Sequence, residues 1–538
     1  MKKILYALLL CVSISCSDQF LDIKPVDTIS ETDVFSDGKL LTDYVNANYN
    51  AIFYPMIGWD ELFYDAYTDN AIHMWGNRNF ATGMVTPDNV EGVTRNAWAN
   101  NYSYIRNINI FFDKINGSTI DEAIKNRLIG EMKFLRASAY AQLLWFYGGV
   151  PIIKDVFTID SKYDITRNSY DEVVTFIAAE LDEAASKLPP SYDGADFGRA
   201  TKGAAMALKA RVLLYAASPL NNPSNDKAKW QSAANAAKAV IDLNIYDLHQ
   251  GNYGDGFLSI TEEAIFARQF TKANGHNIPL QNNPNGYNGW GGLVPLQSLV
   301  DAYETSDGKP VFLADGTINP ASGYDPQNPY ANRDPRFYST IFYNGAMWKG
   351  REVEYFVPGG LDSKDGPSWW NTSESRYNTR KWIPEAEPVS ESDPSTNPSI
   401  LIRLGEVYLN YAEALIALGN ETEAKVYINL IRKRAGMPDI TESGADLIKR
   451  YRNERRIELA FECHRFFDIL RWKIAEDVLN KNAMGVRVIK NADGTIKYEY
   501  DLLVEQRSFD ASKNYRMPIP RGEIDKTSGS LVQNPGYN

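Results

Sequence analysis

The chain has 538 residues, enough for one large domain or several average ones and ample to bury a core. Its formal charge of −12 argues against nucleic acid as a partner, and four histidines leave little room for metal or histidine-based catalysis. Aromatic content is 12%, with 32 Tyr and 11 Trp, a surplus suited to surfaces that touch amphipathic ligands.

Lys2 and Lys3 precede an apolar run, residues 4–12, that is too short to span a bilayer and ends in Ser13-Ile14-Ser15-Cys16. Residues 1–15 read as a lipoprotein signal peptide, Cys16 as the lipidated residue and 16–32 as a polar, Pro-containing tether; an ordinary secretory signal is the alternative. Loss of Cys11 and acylation of Cys16 leave Cys463 without a disulfide partner. Several acyl chains on one Cys give stable anchoring, since each buried CH₂ contributes about 0.8 kcal/mol.

Helical patterns fill residues 33–244. The spacing predicts helices over 40–53, 97–115, 121–147, 170–188, 202–217 and 228–243, the third stopped by Gly148-Gly149-Val150-Pro151. Residues 245–398 are different, rich in Gly, Pro, Asn and aromatics with few helical periods, and a loop region this long carries function. In 399–538, Leu404, Val407, Tyr408, Tyr411 and Leu415 form one stripe and Ala424, Ile428 and Ile431 a second beyond Gly419-Asn420. The layout of 403–436 resembles a tetratricopeptide helix pair, with 204–241 a weaker copy.

The stretch 452–472 reads as a charged helix buried on several sides. Glu458 stands three after Arg455, Arg465 three after Glu462 and Arg471 three after Asp468, which predicts local ion pairs. Glu454, Glu458, Glu462 and His464 could serve as metal ligands or acid/base groups. One His among so many Arg fits a salt-bridge lattice better.

Arg455-Arg456-Ile457-Glu458-Leu459-Ala460-Phe461-Glu462, followed by Arg465-Phe466-Phe467-Asp468-Ile469-Leu470-Arg471-Trp472, closely resembles the C-terminal signature of the SusD/RagB family, surface lipoproteins that bind nutrients for a SusC-type outer-membrane transporter. Cys463-His464 departs from that pattern, where a small residue, often Gly, is usual. Further matches are Arg136, Ala137, Tyr140 and Gly149-Val150-Pro151; Asn332-Arg333-Asp334-Pro335-Arg336; Pro518-Ile519-Pro520; and Gln533-Asn534-Pro535-Gly536-Tyr537. Ser13 replaces the expected lipobox Leu, while Ser17-Asp18 is similar to the family's tag for export to the outer face. The resemblance implies a mostly α fold, a tetratricopeptide-like helix-pair scaffold with a long loop-rich, ligand-facing insertion. It implies a cell-surface, lipid-anchored protein of the outer membrane that passes oligosaccharide or polysaccharide to a SusC-like TonB-dependent transporter, without catalysis or cofactor. A structural Ca2+ is left open. Peptide cargo, as in the RagB branch, is the alternative, and a surface glycosidase a third reading that no carboxylate pair singles out.

A sugar site needs a flat ring for the C–H face and planar polar groups for the hydroxyls. Three stretches offer both. In 69–78 the candidates are Asp69, Asn70, Trp75 and Arg78, and the resemblance places this loop against ligand. In 285–292 they are Tyr287, Asn288 and Trp290, whose neighbouring glycines leave the rings unshielded. In 367–371 the candidate is Trp370; adjacent Trp369 and Trp370 in an extended strand would point to opposite faces, exposing one. Trp98, Trp145, Trp382 and Trp472 read as core.

Overall fold

The computed structural model describes residues 30–52, 63–158, 160–161 and 165–537. Cys16, residues 1–15 read as a signal peptide, and most of the stretch read as a tether lie outside the described residues.

Seven helices form the scaffold: α1 (Ala97–Lys114), α2 (Glu122–Tyr147), α3 (Tyr170–Lys187), α4 (Lys202–Ala217), α5 (Lys227–Ile241), α6 (Leu404–Leu418) and α7 (Glu421–Arg434). Their starts are set locally. Asp121 accepts from the N–H groups of Ala123 and Ile124, Ser169 and Glu172 form a capping box, and Thr201 and Asp226 cap α4 and α5. Gly419 ends α6 in the left-handed region at φ 89°, where a side chain would be strained. Each helix packs on the next in this order, as in a tetratricopeptide stack. The stack does not pause at 245–398: α5 packs directly on α6, and Ala237, Leu409, Ala412 and Ala424 are fully buried.

The long insertion is therefore a side structure, and its two ends are stapled. Strand Ala264–Arg268 runs antiparallel to Ser399–Arg403, with Ala264 opposite Arg403 and Arg268 opposite Ser399. A second core of Phe257, Leu299, Tyr303, Phe337, Trp348, Tyr377 and Trp382 fills the insertion. Beyond the scaffold, a hairpin of Ala483–Lys490 and Ile496–Glu505 follows. No helix among the described residues is long and apolar enough to cross a membrane.

The stretch expected as one helix over 452–472 is two. Helix α8 (Gly444–Glu458) ends, and α9 (His464–Arg471) begins after a turn in which Phe461 and Cys463 both take φ near 61°. Asp65 holds that turn, its carboxylate accepting from Phe461 N at 3.3 Å and Cys463 N at 3.1 Å. Cys463 thus occupies a conformation natural to glycine, and the contact explains how the departure is tolerated. Burial pushes Asp65 up to about 6, against the hydrogen bonds from Asn70, Cys463 and Phe461.

The expected local ion pairs are largely replaced by distant ones. Arg471 does pair with Asp468 at 2.8 Å, but Glu458 takes Arg336 at 2.9 Å, Arg403 at 2.6 Å and Arg434, and Glu462 takes Lys381 at 2.7 Å. Arg455 reaches Asp468, and Arg465 reaches Asp69. Burial alone would raise Glu458, but Arg434, Arg403 and Arg336 hold it well below the usual carboxylate range. His464 is buried, with its proton affinity lowered by burial and by the charges of Arg211 and Arg455. These carboxylates join the insertion to the scaffold.

Candidate functional site: a tryptophan platform

The three stretches singled out in the sequence meet. Strand Ala71–His73 pairs antiparallel with Leu293–Pro295, and Met74 N donates to Gly292 O at 2.9 Å, tying the first stretch to the second. Asn285 Nδ2 donates to Pro367 O at 3.1 Å, tying the second to the third. Arg78 Nη2 bonds Glu374, three residues beyond the third stretch, at 3.0 Å.

At this junction stand the tryptophans that are exposed among the described residues: Trp75 (49%), Trp369 (63%) and Trp370 (62%). Trp75 meets the partly buried Trp290 edge to face, with centroids 6.1 Å apart, and His73 backs Trp75 at 5.8 Å. The indoles of Trp369 and Trp370 stand at 83° to each other. Both are open because 369–371 is a 3-10 turn entered through Ser368 at φ 54°, where an extended strand would have exposed one. The sequence puts forward one ring of this pair, Trp370, and the turn leaves Trp369 open as well.

Glycine makes the convergence possible. A Cβ on Gly291 would lie 2.7 Å from Asn371 O, and one on Gly292 3.3 Å from the Trp75 ring. The second stretch can thus touch both neighbours along its bare backbone. The platform is large and apolar at its faces, with Arg78, half-buried and paired with Glu374 and Glu505, as the charged group beside it.

Several expected ligand residues have other duties. Asn70 is fully buried, donating to Asp65 at 2.9 Å and accepting from Arg456 at 2.8 Å, so it meets no ligand. Asp69 is gripped by Arg465 through two bonds of 2.8 and 2.9 Å and by Arg456 at 3.1 Å. Burial would raise it, yet those two guanidiniums hold it far below the usual range. Tyr287 is covered by Arg351, 3.7 Å above its ring, and its hydroxyl donates to Trp348 O and Arg351 O. Asn288 is exposed at φ 66° and donates to Val389 O, which makes it a turn residue at the rim. Trp98, Trp145, Trp382 and Trp472 are buried. Among the described residues no group of three or more His, Cys, Asp or Glu is placed to hold a metal ion.

A model described as SusD family matches residues 262–537, and a second, described as starch-binding associating with outer membrane, matches residues 19–214. A SusD-like protein from Bacteroides fragilis NCTC 9343 superposes with a TM-score of 0.80 at 32% identity, covering 96% of this chain and 100% of that one. A SusD-like carbohydrate binding protein from the same strain gives a TM-score of 0.79 at 27% identity, over 91% and 98% of the two chains. A SusD-like protein of Bacteroides ovatus is 25% identical over 97% of this chain and 94% of its own length. The fold and these matches agree: the chain belongs to the SusD family.

Proposed function

We propose that the chain binds glycans at the cell surface, anchored through Cys16, and passes oligosaccharides to a SusC-like TonB-dependent transporter in the outer membrane. The observation that carries this reading is the presence of two tryptophan pairs, Trp75 with Trp290 and Trp369 with Trp370, on loops that approach each other at Gly291 and Asn371. Bare indole faces match the C–H faces of sugar rings, and open apolar surface of this kind marks a binding site. The carbohydrate-binding relative and the starch-binding, outer-membrane family description point the same way. Peptide cargo would call for a cavity lined by backbone-pairing groups, which is not what this surface presents. Binding without bond cleavage fits the buried carboxylates of the scaffold, which are engaged by Arg and Lys.

The test is electrophoresis through gels cast with neutral polysaccharides, paired with a turnover assay on the same polymers. Retardation that is lost in a Trp75→Ala/Trp290→Ala double variant, with no released sugar, is expected. Unchanged retardation in that variant, or depolymerisation by the pure protein, overturns the reading.

A further inference from the structure

A cavity of about 540 Å³, with none of the exposed tryptophans in its wall, opens where the insertion meets the end of α7, lined by Asn252, Tyr338, Trp348, Arg380, Lys381 and Arg434 among others. It collects cations, and most are spoken for. Arg336 is held by Asp334, Glu454 and Glu458, Lys381 by Glu462, and Arg434 by Glu263 and Glu458.

Arg380 is different. Its guanidinium donates to Tyr338 O at 3.1 Å, and no carboxylate oxygen of the described residues lies within 4.0 Å of it. It lies over the Trp348 ring at 5.0 Å and the Phe342 ring at 5.6 Å. Burial lowers its proton affinity, with Glu385 opposing from a distance. A guanidinium taken mostly out of water and left without a counter-ion is costly, and its planar fork is built to receive two oxygens of an oxyanion.

Lys349 also faces Trp348, at 5.8 Å, but it is engaged: its ammonium donates to the main-chain carbonyls of Glu385 and Glu387, and burial lowers its proton affinity against the charges of those two residues. The acids of the cavity wall, Asp255 and Glu385, are both exposed, and Glu385 accepts from Lys349 N at 2.8 Å.

We infer that this cavity binds an oxyanion of the sulfate or carboxylate class carried on a glycan, with Arg380 as its main donor. The inference rests on the glycan-binding reading and narrows it to acidic chains. General electrostatics would not produce such binding, because a chain of net charge −12 repels polyanions.

Matched polymers test it: dextran sulfate against dextran, and polygalacturonate against its methyl ester, measured by titration calorimetry on the full soluble chain. The acidic member of at least one pair is expected to bind on the order of tenfold tighter, as a bidentate charged contact supplies. Arg380→Gln should erase that preference, while retardation by neutral polysaccharides at the tryptophan pairs persists. Glu385→Gln, an exposed change that keeps the acceptor for Lys349 N, should strengthen acidic binding. The two pairs separate sulfate from carboxylate as the recognised group. Equal binding of acidic and neutral members, or a preference that survives Arg380→Gln, overturns the inference and leaves the glycan reading standing. Binding of neither member of either pair, with retardation by neutral polysaccharides intact, overturns the inference alone.

Discussion

The rings of Trp75 and Trp290 meet edge to face at 82°, although one follows a strand near the start of the chain and the other opens the insertion's own strand. The contact is a consequence of pairing Ala71–His73 with Leu293–Pro295, which delivers both indoles to one end of the ribbon. Each ring steadies the other, so their contributions to ligand binding are coupled. Trp75→Ala and Trp290→Ala are each expected to weaken glycan binding by about 1–2 kcal/mol, roughly five- to thirtyfold. The double variant should lose less than the sum, with a coupling of about 0.5–1 kcal/mol. Calorimetric titration of the four proteins checks this; strict additivity would mean that the two rings act as separate contacts.

Glu458 is the hub of the buried charge lattice, accepting from Arg336 and Arg403 with Arg434 alongside. Glu458→Ala leaves three guanidiniums short of a partner in a dry interior and should cost about 3–5 kcal/mol in denaturant unfolding. Glu499→Ala, which removes exposed pairs with Lys497 and Arg487 on the hairpin, should leave the transition unmoved. Equal effects would show that Glu458 is not a hub.

The scaffold was legible because its signals are local. Caps at Asp121 and Ser169 and the stripes of α6 and α7 sit within a few residues of what they control. The break between α8 and α9 was not, because the carboxylate that holds Phe461 and Cys463 belongs to Asp65, 396 residues before the first of them. The duties of Asp69 and Asn70 escaped for the same reason, their partners Arg456 and Arg465 lying in the C-terminal helices. The hairpin was overlooked although its signal was present: Val486 and Val488 are buried around an exposed Arg487, and Asp493-Gly494 marks the turn. At the platform the composition of three stretches was informative, but which rings face outward depended on turn geometry at Ser368.

Acid should loosen the join between α6 and α9. Burial raises Glu413, but the charge and hydrogen bonds of Arg471, with Arg455 and Trp472, outweigh it and bring the carboxyl down to about 2. A carboxyl depressed in the folded state contributes stability that is present above its unfolded value, near 4.5, and is lost as pH falls toward 2. The contribution at neutral pH is roughly 3 kcal/mol. Wild type should therefore lose melting temperature below about pH 4.5. Glu413→Gln should start lower and fall less steeply over the same range. Parallel curves would mean that Glu413 is not the group titrating.

Gly291 offers the sharpest separation of binding from stability. It sits at φ 61°, and a Cβ there would lie 2.7 Å from Asn371 O and 3.2 Å from Asn378 Nδ2. Gly291→Ala thus adds left-handed strain of about 1–2 kcal/mol and also pushes on the turn that carries Trp369 and Trp370. Gly323 has nearly the same φ, 64°, with nothing within 4 Å of its Cβ position, so Gly323→Ala carries the strain alone. Gly291→Ala should therefore lose more stability than Gly323→Ala, by the cost of displacing Asn371 O. Only Gly291→Ala should weaken glycan binding, by an amount similar to removal of one platform indole. If both variants bind as wild type does, the turn at 369–371 is not part of the ligand surface, and the site is confined to Trp75 and Trp290.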